Sequence, residues 1–170
     1  MTTLDKIISQ LQEVMQQELA AYKDILNKAR QKKDALLKND VAMLDRIVAH
    51  EWIIVKTVKQ LETEREDIIK RITLERGLDF NTATLDDIAA LHAGPASSGL
   101  LALKQELKKT MSEIDAVGRV NKVLVETHLQ YSAFCVNLLT GHTSTIGTYS
   151  YSGRMSELQQ RPTLVLDRMV

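Results

Sequence analysis

Leu36-Leu37-Lys38-Asn39-Asp40-Val41-Ala42-Met43-Leu44 is the stretch on which the fold turns. Upstream of it, Leu4, Ile7, Ile8, Leu11, Val14, Met15, Leu19, Tyr22, Ile25, Leu26, Ala29, Leu36 and Leu37 recur in steps of three and four. That spacing predicts one helical stripe over about Leu4 to Leu37. Downstream, Leu44, Ile47, Val48, Val55, Val58, Leu61, Ile68 and Ile72 predict a second helix from about Val41 to Arg76, stopped by Gly77. Between them stand only Lys38, Asn39 and Asp40. Asn39 tolerates the left-handed backbone that ends a helix, and Asp40 is suited to cap the next. Two helices each about 50 Å long at 1.5 Å per residue, joined by so short a link, must run antiparallel.

Working outward, Leu78 to Gly99 is a break. Thr84 with Asp87 has capping-box spacing and predicts a two-turn helix over Leu85 to Leu91, and Ala93 to Gly99 is expected to be a loop. A third long helix is expected from about Leu100 to Leu139. Its main stripe is Leu103, Leu107, Met111, Ile114, Val117, Asn121, Leu124, Val125, His128, Ser132, Cys135 and Leu139. The expected fold is therefore all-α: a long antiparallel helical hairpin plus a third long helix in an up-down bundle. Residues 1–140 form the bundle domain in this reading, and residues 141–170, with Pro162 and scattered Gly and Ser, a flexible C-terminal tail.

Composition narrows the function. The chain has 170 residues, with 22 basic and 22 acidic side chains and a formal net charge of zero. Nucleic-acid binders carry a basic footprint, and aromatic platforms for single strands are scarce at 4% of residues. No nucleic-acid partner is expected. No run approaches the roughly 18 apolar residues of a membrane span, and the start lacks a basic-then-apolar leader, so no membrane insertion and a cytoplasmic location are expected. A single cysteine, Cys135, forms no internal disulfide and fits a reducing compartment.

Charge stops abruptly after Glu126; no Asp, Glu, Lys or Arg follows until Arg154. A solvated helix carries charge on its outer face, so this end is either covered by the rest of the chain or kept for a partner. A second stripe, Val120, Val123, Thr127, Tyr131, Phe134 and Leu138, points roughly opposite the first at 100° per residue. One reading has the tail or the short helix bury it. The other makes it the wall of a groove for a partner helix. The two are compatible if the tail is a displaceable lid.

Chemistry is sparse. No Glu-x-x-His pairs exist for a di-iron site. His128 and Cys135 lie about 10 Å apart along a helix axis, too far for one metal. Cys135 reads as a buried small hydrophobe. The acids Glu62, Glu64, Glu66 and Asp67 read as a solvated face, with Arg65 on the core stripe pairing across the bundle. Asn121 in the apolar stripe reads as a register-fixing polar residue, or else as a hydrogen-bonding contact to a partner. No glycine-rich phosphate loop follows a strand. No catalytic, metal or cofactor residues are expected, and no enzyme activity.

Several of these features together resemble the FlgN family of flagellar export chaperones. They are the leading hairpin with Leu61-Glu62-Thr63-Glu64-Arg65, the Thr84-Leu85 helix start, Asn121 in the third helix, and Thr148-Tyr149-Ser150-Tyr151-Ser152-Gly153-Arg154 after it. The last, Thr-Tyr and then Gly-Arg three residues on, is the sharpest. One departure is Gly118, where the family often has a first asparagine three residues before the second. The resemblance implies a cytosolic type III export chaperone without ATPase activity. It implies binding of hook-associated (hook-filament junction) proteins before export, and delivery to the flagellar export gate or ATPase-complex components. Tyr149 is then the tyrosine expected to dock on the export machinery, or a residue that packs back on the bundle. The expected partner surface is Val120, Val123, Thr127, Tyr131, Phe134 and Leu138, with Tyr149, Gly153 and Arg154 from the tail motif. A structural coiled-coil adaptor of a secretion system is the alternative reading, and the long stripes also suit a homodimer.

Overall fold

The computed structural model describes residues 3–91 and 95–140 of the chain. Four helices run in order: α1 (Thr3–Leu37), α2 (Val41–Arg76), α3 (Leu85–Ala90) and α4 (Pro95–Thr140). Among the described residues there is no strand. Contacts divide the chain into two units, Met1–Gln130 and Tyr131–Val170. The helical bundle lies in the first, and the last ten residues of α4 are the described part of the second. The expected flexible tail lies outside the described residues.

The hairpin forms as its turn chemistry dictates. Asn39 takes a φ of 54°, in the left-handed region. The side chain of Asp40 accepts a hydrogen bond from the Met43 backbone N–H at 2.9 Å and so satisfies a free donor at the start of α2. Gly77 closes α2 with a φ of 67°, its N–H donating to carbonyls of the last turn. Three side-chain pairs run down the hairpin in opposite directions on the two helices: Lys32 with Glu51, Tyr22 with Glu62, and Glu18 with Arg65. That order makes α1 and α2 antiparallel.

α4 runs parallel to α1. Lys23 pairs with Glu106 and Arg30 with Glu113, at 3.0 and 2.9 Å. Asn121 and His128 then bond to the backbone oxygens of Ala29 and Leu36. Each set advances by two helical turns on both helices, so a seven-residue repeat aligns α4 with α1.

The core is concentrated at one end. Leu4, Ile7, Ile8, Leu11, Val14 and Met15 of α1 pack with Leu61, Ile68 and Ile72 of α2, Ile88 of α3 and Leu100 of α4. α3 is held by its capping box: the Thr84 hydroxyl accepts from the Asp87 N–H, and the Asp87 carboxylate accepts from the Thr84 N–H at 2.8 Å. The Thr84 hydroxyl also donates to the Asp87 carboxylate at 2.6 Å, and this bond, with the one from the Thr84 N–H, holds the Asp87 carboxyl below the usual range.

Three expectations are corrected. The segment expected to be a loop up to Gly99 is already helix from Pro95. Proline lacks the N–H that the first helical turn leaves unpaired, and the Ser97 hydroxyl donates to the Ala89 carbonyl at 2.7 Å, tying the new helix to α3. In α2, Val48 and Val55 are exposed and Ile54 is buried. The buried set Ile47, Ile54, Val58, Leu61, Ile68 and Ile72 follows a seven-residue repeat that leaves Val48 and Val55 off the buried face. Among the residues of α4 whose side chains are described, only Leu100, Thr110 and Asn121 are buried; Cys135 is half-buried, not buried.

Candidate protein-binding surfaces of the bundle

The expected second stripe of α4 is solvent-facing at every position. Val120, Val123 and Thr127 are exposed in the first unit, and Tyr131, Phe134 and Leu138 in the second. Val123 exposes 60% of its surface. The Thr127 hydroxyl donates to the Val123 carbonyl at 2.8 Å, which removes its polar demand from the surface. The Tyr131 phenol, one turn before Cys135, is held above its usual pKa by that thiol. Tyr149, Gly153 and Arg154 lie outside the described residues.

Two residues that the sequence placed on the core stripe of α2, Val48 and Val55, lie instead on an exposed surface at the hairpin-turn end. Val41, Val48, Trp52 and Val55 of α2 are all exposed, Trp52 by 74%. The signal was present: Trp52-Ile53-Ile54-Val55 is apolar around the helix, as the end of α4 is. An all-round apolar stretch marks a second face beside the core-facing one.

Polar groups fix the register between these surfaces. Asn121 Nδ2 donates to the Ala29 carbonyl at 2.8 Å in a buried position. A carbonyl only accepts, so the amide orientation is forced, and Oδ1 is left buried with no partner. His128 Nε2 donates to the Leu36 carbonyl at 2.9 Å, and so caps the C-terminal turn of α1. Deeper in the hairpin, Arg65 Nε donates to Glu18 Oε1 at 2.9 Å, and Glu18 is only 2% exposed. Burial pushes the Glu18 carboxyl up, and the Arg65 bond and charge oppose it. Burial also raises the Tyr22 phenol, which donates to Glu62 at 2.7 Å and so stays neutral. These groups hold the bundle together; among the described residues no cluster of His, Cys, Asp and Glu could hold a metal ion.

The arrangement defines a helical bundle whose apolar side chains exceed what its own core uses, as in proteins that bind the helices of others. The comparison with known families agrees. The model of the FlgN protein family matches residues 1–157, and the chain belongs to the FlgN family, whose members are flagellar type III export chaperones. No curated protein and no solved structure matches the chain significantly. No helix among the described residues is long and apolar enough to cross a membrane.

Proposed function

We propose that this chain holds hook-filament junction proteins in the cytoplasm before export and delivers them to the flagellar export apparatus. The observation that carries this reading is the exposed stripe of α4, Val120, Val123, Thr127, Tyr131, Phe134 and Leu138, in a chain of the FlgN family. Unassembled helical termini of structural subunits expose apolar stripes and associate prematurely. An exposed apolar stripe on a chaperone covers such a helix by side-by-side packing, without any chemical step. Tyr149, Gly153 and Arg154 serve the second stage, contact with the export gate or its ATPase complex. The chain acts by binding and is not an enzyme.

The test is calorimetric titration of the full chain with purified junction proteins. Phe134→Asp places a charge in the apolar stripe, and binding is expected to be lost while the circular dichroism of the helices is kept. Unchanged binding removes the stripe from the partner site. Tyr149→Ala is expected to keep partner binding and to abolish export.

A further inference from the structure

Between α2 and α4, above α1, lies a trough of about 480 Å³ at the hairpin-turn end. Its floor is Ile25 and Ala29, and Ile114, Gly118, Asn121 and Val125 of α4 form one wall. Glu51 marks the α2 wall. At 100° per residue, Val48, Trp52 and Val55 fall on the Glu51 side of α2, and all three are exposed. On α4, Met111 and Leu129 share the flank of Gly118 and are exposed too. This flank differs from the one that carries Val120, Val123 and Thr127.

Since α2 is antiparallel to α1 and α4 parallel to it, the two walls are antiparallel helices lying on a third. The position between them, left open by the described residues, is the one a fourth helix takes in a four-helix bundle. Two details specify the occupant. Gly118 has nothing within 4 Å of where a β-carbon would stand, so a second backbone can approach α4 closely there. One turn on, Asn121 is 7% exposed, its Nδ2 is committed to Ala29, and Oδ1 has no donor. A buried acceptor without a donor is costly, and a partner that supplies one gains what the free protein lacks. The charges of the trough are already matched, Lys32 to Glu51 and Lys122 to Glu126. An ionic side chain would find no counter-charge here, so a neutral donor fits.

We infer that the trough between α2 and α4 seats one amphipathic partner helix, whose apolar face carries a single hydroxyl or carboxamide donor to Asn121 Oδ1 beside Gly118. This rests on the reading of the chain as a chaperone for helical segments, and adds to it a second contact surface and a residue preference in the cargo.

Trp52, the one tryptophan of the chain, stands on the α2 flank beside the trough, one residue past Glu51 of its lining. With junction proteins as the probe, binding to the full chain is expected to shift Trp52 emission to the blue. Gly118→Leu fills the trough at a helix position where leucine favours the helix, and is expected to weaken binding about tenfold or more with the helices intact. Two synthetic amphipathic helices of about 25 residues, with Gln or Leu at the centre of the apolar face, form the second arm. The Gln peptide is expected to bind about fivefold tighter, the worth of one neutral hydrogen bond, and Asn121→Leu to erase that preference. If junction proteins bind but Gly118→Leu changes nothing and Trp52 emission stays put, the trough is overturned and the chaperone reading stands. If junction proteins do not bind at all, the chaperone reading falls and the peptides decide. A Gln preference lost in Asn121→Leu keeps the trough; equal or absent peptide binding overturns it. A doubling of mass without partner assigns the trough to a second copy and overturns the proposal.

Discussion

The two ends of the hairpin are built from the same kinds of residue and come out differently. Where α1 begins, most apolar side chains are met, Leu74 and Phe80 apart: α2 ends against it, α3 folds across, and Leu100 near the start of α4 is fully buried. Where α1 turns into α2, the hairpin still buries Ile47 and Ile54, but Val41, Val48, Trp52 and Val55 face solvent, as do Met111, Val120, Val123 and Leu129 of α4. The difference is one of element count. Among the described residues, four helices converge on the first end, and three long helices, with one covering position open, make the second. An apolar side chain that no element of its own fold covers adds nothing to folding and remains available for association.

The comparison breaks first if the closed end does not carry the stability. Ile72 is fully buried among α1, α3 and α4 residues. Ile72→Ala is expected to cost about 2–5 kcal/mol in denaturant unfolding, from lost transfer energy and the cavity left behind. A loss under about 1 kcal/mol would mean that this core is loosely filled.

Next in size is the ion pair in the middle of the hairpin. Arg65→Ala strands the Glu18 carboxylate in a nearly sealed position, and is expected to cost roughly 2–4 kcal/mol at neutral pH. The sign with pH follows from Glu18. Its folded pKa is raised by burial, so the folded state holds the proton more tightly than the unfolded chain does. Its contribution is therefore fully present below the unfolded pKa and is lost as pH rises through the folded one. Removing Arg65 takes away the opposing bond and charge and raises the folded value further. The deficit of Arg65→Ala is thus expected to shrink on acidification through a window just above the ordinary glutamate range. An equal deficit at pH 5 and pH 8 would place water, not protein, around Glu18.

A smaller effect is expected at the lid of the closed end. Thr84→Ala removes the N-cap of α3 and is expected to cost about 1 kcal/mol. Because Thr84 holds the Asp87 carboxyl below its usual range, that part of the stabilisation is present above the ordinary aspartate pKa. It is lost as pH falls through the depressed value. Hydrogen exchange at the Ile88 and Ala89 amides reads the loosening directly.

How much of this was legible follows the same division. The hairpin could be read because its signals are local: Asn39, Asp40 and Gly77 each act within a few residues, and the Thr84–Asp87 box does as well. Arg65 on a core stripe announced a buried acid opposite, though not that it was Glu18. The α4 stripe was legible as an apolar pattern once charge was seen to stop at Glu126, though the pattern alone does not say whether it is covered. The α2 flank was not, because periodicity tells which residues share a face and says nothing of which face meets a neighbour. Val48 and Val55 are as periodic as Ile47 and Ile54; only the angle at which α1 packs separates them. Likewise, Asn121 stood out in its stripe, but its unmet oxygen depends on Ala29, far off in sequence.

The smallest expected effect is the one that bears most on the open end. Trp52→Ser removes the largest side chain of the α2 flank, yet a side chain 74% exposed has little packing to lose. Unfolding free energy is expected to change by no more than about 0.5 kcal/mol, the scale of surface substitutions away from any structural feature. Affinity for a partner helix is expected to fall well beyond that, since buried tryptophans rank among the strongest anchors of protein interfaces. Stability and binding thus part company at a single residue. At Ile72 they do not, because a helix that unfolds presents no surface to bind. If Trp52→Ser lowered stability by more than about 1 kcal/mol, the flank would already be covered in the free protein. The open end would then be a second core, and the contrast between the two ends would vanish.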